Sequence, residues 1–448
     1  MKLRVLFVAS ECTPLVKVNS LADAVGSLPK ALAKAGVDVA VALPGYKHLA
    51  DYEVLPGSDI PLFLVENEEY FGNSEAPYRD LAADAKRFAY FSRQVVQQMA
   101  RWGFEPDVVH AHDWYASLIP AVTKKMELPY ASVLTVHDLA TQGISADDVP
   151  FPAGLSECDL RGLEWDFQDK NIDLLLQGLI HADVINTVSP TYAREILTPE
   201  SSEGLHDVLR ACAGRLCGVL SGIDYDSYDP ANDTNLFRTF GPDDVAEGKA
   251  MNKEALQREL GLAVDEKAML VGFTAPLVDR NGLSLIVEGF KWMMEMPLQF
   301  VLLGAGDYRY ERQFEQFAAS FPSKFSAQIK TDEALARRLY AAADLFIIPS
   351  RFEPCGLTQM VAMRYGALPL VRAAGGLNDS VIDGADGFVF EKYEARQMVA
   401  VLRRALRVFK TPVWAQMVGA VMRKDFSWDK VAREYIPLYE RAIDYARK

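Results

Sequence analysis

No run of this sequence reaches the roughly 18 apolar residues that a membrane-spanning helix needs, which excludes a helical span. Cysteine is scarce. Cys12, Cys158, Cys212, Cys217 and Cys355 are odd in number and contain no CxxC, so neither a disulfide framework nor a zinc signature is offered. The six histidines include no HExxH, and His110 and His112 stand only two apart; no metal and no cofactor is expected. Positive charge is in deficit, with 47 Lys and Arg against 61 Asp and Glu and a formal net charge of −14. Nucleic acid and anionic membrane are thereby excluded as broad partners, although a local basic pocket stays open. Internal repeats, low-complexity tracts and coiled-coil heptads are absent. The opening MKLRVLFVAS pairs charge with a short apolar stretch but lacks a long apolar core and a small-residue cleavage site. The expectation is a cytoplasmic protein.

What is present is alternation. The 448 residues suit two domains of about 200 residues each. Residues 3–9 (LRVLFVA) read as a buried strand, 21–35 as a helix with apolar residues at helical spacing, and 36–44 as a second strand. That is the unit of a parallel sheet. It recurs at 104–113, 131–139 and 182–190, and after the turn-rich stretch 225–250, read as a linker, again at 268–275, 298–306, 343–350, 366–372 and 386–391. A helix is expected at 251–260, and further helices at 391–407 and 428–447. The fold class is α/β, with two doubly wound Rossmann-like domains. Several strands end in polar residues, and ligands of such sheets sit beyond the carboxyl ends of the strands.

Five segments combine polar or glycine-rich chemistry with these strand ends: KVNSLADAVGSLPKAL, DVVHAHDWYASLIP, TVHDLATQG, INTVSPTYAREI and SRFEPCGLTQ. GVLSGIDYDSYDP and GKAMNKEALQRELGL fall between INTVSPTYAREI and SRFEPCGLTQ, and the likeness that these segments carry extends over nearly the whole chain. The sequence resembles the bacterial glycogen synthase and starch synthase family of retaining glucosyltransferases. The resemblance implies a GT-B arrangement of two domains facing across a deep cleft: 1–235 on the acceptor side, 236–425 for the nucleotide sugar, and a helix within 426–448 crossing back. It also implies roles. Glu353 and His137 would act at the donor sugar, with Lys17 reaching the nucleotide phosphates or the glucosyl acceptor region and Asp23 orienting its loop. Cys355, Gly356, Leu357, Thr358, Gly375 and Gly376 would hold sugar and diphosphate, and successive N–H groups at a Gly-Gly turn suit an anion. His112, Asp113 and Tyr115 would lie on the acceptor side. Blander readings stand beside these: Glu353 as a cap on the following helix with Pro354 opening it, Lys17 as a solvated surface group, His137 as a satisfied strand-end histidine.

Departures from the family pattern concentrate where phosphate would bind. Asn19 and Ser20 replace two glycines after Lys17, and Ser tolerates left-handed backbone poorly. Aligned on Gly282, the family's arginine and lysine positions fall on Pro276 and Asn281, leaving Arg280 as a substitute cation beside Asp279. Cations at a departing diphosphate stabilise charge that grows in the transition state. Ser221, Asp138, Thr141 and Tyr115 also depart from the pattern. Three readings follow. The first is transfer of glucose from ADP-glucose to the non-reducing end of an α-1,4-glucan. The second is a non-catalytic homologue that binds glucan or a protein partner, and the third a GT-B transferase with another donor or acceptor.

Overall fold

The computed structural model describes residues 2–72, 77–146, 151–156, 159 and 171–448; Cys158 lies outside them. The chain forms two compact units, Met1–Gly222 with Ser427–Lys448, and Ile223–Phe426.

The first unit is built on a seven-stranded sheet of β1 (Arg4–Val8), β2 (Asp38–Pro44), β3 (Leu62–Val65), β4 (Val108–His112), β5 (Ala131–Val136), β8 (Val184–Thr187) and β9 (Leu216–Gly218). Its order is β3-β2-β1-β4-β5-β8-β9, and every pairing is parallel. Parallel strands covered on both faces are predominantly apolar and buried along their length, as residues 5–8, 39–44 and 131–136 are. A small antiparallel pair, β6 (Ile144–Ala146) with β7 (Asn171–Asp173), stands apart from the sheet. The helix Trp428–Ala446 packs in this same unit, against the helix Ser20–Lys34 and β5.

The second unit carries β10 (Met269–Thr274), β11 (Leu298–Leu303), β12 (Phe325–Gln328), β13 (Leu345–Ile348), β14 (Leu368–Arg372) and β15 (Phe388–Phe390). Their order is β12-β11-β10-β13-β14-β15, again all parallel. The two parallel sheets bear out the α/β, doubly wound reading. One boundary differs from the sequence reading. The stretch taken as linker up to 250 ends earlier, because the helix Val245–Glu259 already includes VAEGKA. Its Lys249 is buried, and the ammonium donates to the carbonyls of Tyr340, Ala341 and Tyr365 at 2.9–3.2 Å. A polar-looking segment thus becomes helix because one lysine satisfies carbonyls at the carboxyl ends of two others. Lys253, a turn later, bonds Asp344 at 2.7 Å. The GKAMNK motif therefore serves the fold of its unit.

Candidate functional site

In the first unit the chain leaves β1 at Val8 and folds into a tight loop before the helix at Ser20. The buried carboxylate of Glu11 organises that loop. It accepts from the N–H groups of Val18 and Asn19, from Asn19 Nδ2 at 3.1 Å, and from the Tyr78 hydroxyl. Lys17, half-exposed, pairs with Asp23 at 2.9 Å, and the Thr13 hydroxyl donates to the same carboxylate oxygen. Asp23 thus holds Lys17, as an orienting partner would. Glu11 was not singled out from sequence; its signal is a lone acid directly after a buried strand.

The backbone at Asn19 and Ser20 is unstrained. Asn19 has φ −121° and ψ 172°, ordinary extended backbone, and Ser20 opens the helix. Neither position needs the left-handed region, so losing the glycines strains nothing.

β4 and β5 end side by side and deliver His112 and His137. Both are buried, and His112 Nδ1 lies 3.1 Å from His137 Nε2. Asp113 adopts φ +53°, a left-handed conformation that costs a non-glycine residue about 1 kcal/mol. That turn brings its Oδ1 to 2.6 Å from the His137 N–H. Burial pushes the Asp113 carboxyl up to about 8, against the His137 N–H, which lowers it. Burial also holds His137 down to about 4 and drives His110 and His112 well below the ordinary imidazole range. Tyr115 stacks on Tyr78 with ring centroids 4.8 Å apart, which joins the HDWY stretch to the Glu11 loop. Ser221 is buried, its N–H donating to the Val188 carbonyl, and Thr141 is exposed.

In the second unit, Glu353 follows β13 with its Oε2 accepting from Ser350 Oγ at 2.9 Å. The next helix, Thr358–Arg364, starts five residues later with Leu357 as N-cap and no side-chain cap. Glu353 therefore does not cap it, and Pro354 does not open it. The residues Cys355, Gly356 and Leu357 form the turn between, and Thr358 is the first helical residue. Beyond β14, Gly375 takes φ +43°, and a Cβ there would stand 1.9 Å from the Glu353 carbonyl oxygen; one on Gly376 would stand 1.8 Å from that of Cys355. The Gly376 N–H donates to the carbonyls of Glu353 and Pro354. Only glycine lets these two loops lie in contact. The structure thus brings Glu353, Cys355, Gly356, Gly375 and Gly376 together.

Pro276 and Asn281 meet each other: Asn281 Nδ2 donates to the Pro276 carbonyl at 2.7 Å. The turn closes at Gly282, φ +79°, against the Pro349 carbonyl. The two positions that depart from the family pattern are thus uncharged and bonded to each other, with Asp279 and Arg280 between them. The Arg280 carbonyl accepts from the Arg351 N–H at 2.8 Å, and Arg372 donates to the carbonyls of Ser350 and Arg351, so arginines 280, 351 and 372 share this corner. Among the described residues, no helix is long and apolar enough to cross a membrane.

Comparison with known proteins agrees with this geometry. Residues 4–211 match the starch synthase catalytic domain family, and residues 253–411 the glycosyl transferases group 1 family. The chain is 39% identical to a glycogen synthase of Gloeobacter violaceus, over 98% of this chain and 99% of that one. Identity is also 39% to a glycogen synthase of Thermotoga petrophila, with the same coverage. Among solved structures it is similar to the catalytic domain of starch synthase IV from Arabidopsis thaliana bound to ADP and acarbose. That match has TM-score 0.89 and 32% identity, covering 99% of this chain and 100% of the other. The chain belongs to the glycogen synthase and starch synthase family of GT-B glycosyltransferases.

Proposed function

We propose that this protein transfers glucose from ADP-glucose to the non-reducing end of an α-1,4-glucan with retention of configuration. The observation that carries the reading is the Glu353 corner: an acid positioned by Ser350 at 2.9 Å, with the Gly375–Gly376 backbone seated on its own carbonyl. Glu353 and His137 act at the donor sugar, and Lys17 with the Gly375–Gly376 backbone at the diphosphate. Cations there stabilise charge that appears only as the leaving group departs. The leaving group exits on the face that the incoming 4-hydroxyl enters, so configuration is kept. The Arabidopsis relative, solved with ADP and acarbose, supports an adenine nucleotide and a glucan-type acceptor. His112, Asp113 and Tyr115 fall to the acceptor, and Arg280 supplies the cation that Pro276 and Asn281 do not.

A second reading has its own observation. The Asn281–Pro276 bond leaves the two charge positions neutral and closed on each other, which favours a homologue that binds glucan or a protein partner without turnover. The test is nucleoside diphosphate release and chain extension by purified protein. ADP-glucose or UDP-glucose is supplied, with and without a maltooligosaccharide primer, and Glu353→Ala serves as the control. Primer-dependent extension that the control abolishes upholds the transferase. Glucan binding without turnover upholds the second reading.

A further inference from the structure

Three histidines line up at the carboxyl ends of β4 and β5, and one of them is incompletely bonded. His110 satisfies both ring nitrogens, Nδ1 with the Tyr439 hydroxyl at 2.9 Å and Nε2 with the Thr135 hydroxyl at 2.6 Å. His112 does not. Its ring is flanked by Phe7 and His110, its Nδ1 meets His137 Nε2 at 3.1 Å, and its Nε2 is buried with no partner. Burial keeps these rings neutral, so each carries one N–H.

Only two proton arrangements fit the 3.1 Å contact. In one, the His137 Nε2–H donates to His112 Nδ1; the His112 proton then sits on Nε2, a buried donor with nothing to accept it. In the other, His112 Nδ1–H donates to His137 Nε2, and His112 Nε2 is left only with an unused lone pair. Buried orphan donors are rarer and costlier than under-used acceptors. The second arrangement therefore prevails, by about thirtyfold for a penalty near the middle of the usual range.

We propose that His112 is a positioning residue that fixes His137 as the Nδ1–H tautomer, so that His137 offers an N–H donor at Nδ1 to the oxygen of a bound sugar. The tautomer follows from the protein alone; its use on a sugar rests on the transferase reading above. His137 Nδ1 makes no hydrogen bond among the described residues, and the backbone of His137 is held independently by Asp113. The ring is thus set by His112 at one nitrogen and left available at the other.

The test is nitrogen NMR of histidine-labelled protein, which distinguishes protonated from bare ring nitrogens. Only six histidines contribute, and the spectrum of His137→Gln assigns the His137 signals. The expected wild-type pattern is a protonated Nδ1 and a bare Nε2 on His137. In His112→Leu, His137 should revert to the Nε2–H form common in water, with kcat/KM for transfer reduced about tenfold, the scale of one misdirected hydrogen bond. His112→Asn, whose amide N–H reaches about as far as Nδ1, should retain the wild-type nitrogen pattern on His137. A wild-type His137 protonated on Nε2 overturns the proposal, as does an unchanged pattern in His112→Leu. Should the leucine variant fail to fold, the wild-type spectrum still decides. Protein without transfer activity but with a protonated His137 Nδ1 refutes the functional reading and leaves the tautomer standing.

Discussion

The loop after β1 and the loop after β10 both depart from the family's phosphate-binding pattern, yet they depart in different ways. After β1 the change is from glycine to Asn19 and Ser20, and the backbone absorbs it: φ is −121° at Asn19, the helix starts at Ser20, and Lys17 remains charged beside Asp23. After β10 the change is from cations to Pro276 and Asn281, and what replaces them is a neutral hydrogen bond between the two. A glycine can be lost without cost where its special conformations are not used. A cation facing a leaving group cannot, because its contribution is charge and not shape.

The largest expected effect lies outside both loops and calibrates them. Glu353→Ala should reduce primer-dependent extension by at least about 10²-fold, the scale of losing one preorganised group at a transition state. Extension that persists at the wild-type rate would remove Glu353 from the reaction. Next comes the repair of the β10 loop. Pro276→Arg with Asn281→Lys should raise nucleoside diphosphate release by about 10-fold to 10²-fold if the missing charge is what limits the chain. Unchanged release would mean that Arg280 already neutralises the diphosphate, and the contrast between the loops would dissolve.

The sheets were legible because buried parallel strands must be apolar along their length, and LRVLFVA, ASVLTV and LQFVLL carry that mark without ambiguity. The Glu353 corner was legible for a similar reason: an acid and a double glycine close to strand ends have few structural uses. The short edge strands Leu216–Gly218 and Phe325–Gln328 gave less signal, being three and four residues long. Two other features were hidden because they depend on pairs distant in sequence. Glu11 meets Tyr78 and His112 meets His137 only through the strand order. Asn19 read as a strained replacement because its φ is set by the helix it precedes, which one residue type does not reveal.

A further effect falls on the first unit through pH. The Asp113 carboxyl, ordinarily near 3.8, is raised to about 8 by burial, so the folded protein holds a proton there that the unfolded chain releases. Its stabilising contribution is complete below about 3.8 and is lost as pH rises through about 8. The depressed histidines run the other way. His137, ordinarily 6.5 and lowered to about 4, contributes stability present above 6.5 and lost as pH falls towards 4. The unit containing Met1–Gly222 should therefore be most stable near pH 6–7. Asp113→Asn retains the acceptor for the His137 N–H, and asparagine tolerates the left-handed backbone well. The stability it gains over wild type should grow by about 1.4 kcal/mol for each pH unit between about 4 and 8, so the gain at pH 8 should exceed that at pH 5 by roughly 4 kcal/mol. Thermal melts across that range check it, and parallel wild-type and variant curves would show that Asp113 does not titrate there.

The smallest effect tests the claim about the β1 loop most directly. Asn19→Gly removes one exposed side chain and its 3.1 Å bond to Glu11, while the Val18 and Asn19 N–H groups and the Tyr78 hydroxyl still hold that carboxylate. Asn19 is the N-cap of the following helix but makes no side-chain capping bond, and glycine at such a position costs only a few tenths of a kcal/mol. The hydrogen bond adds roughly another 0.5–1 kcal/mol. The variant should therefore melt slightly lower and release nucleoside diphosphate within about threefold of wild type, because the loop geometry never depended on glycine. If Asn19→Gly with Ser20→Gly instead speeds release by about tenfold or more, the side chains themselves obstruct the phosphate. The two loops would then be impaired alike, one by bulk and the other by missing charge.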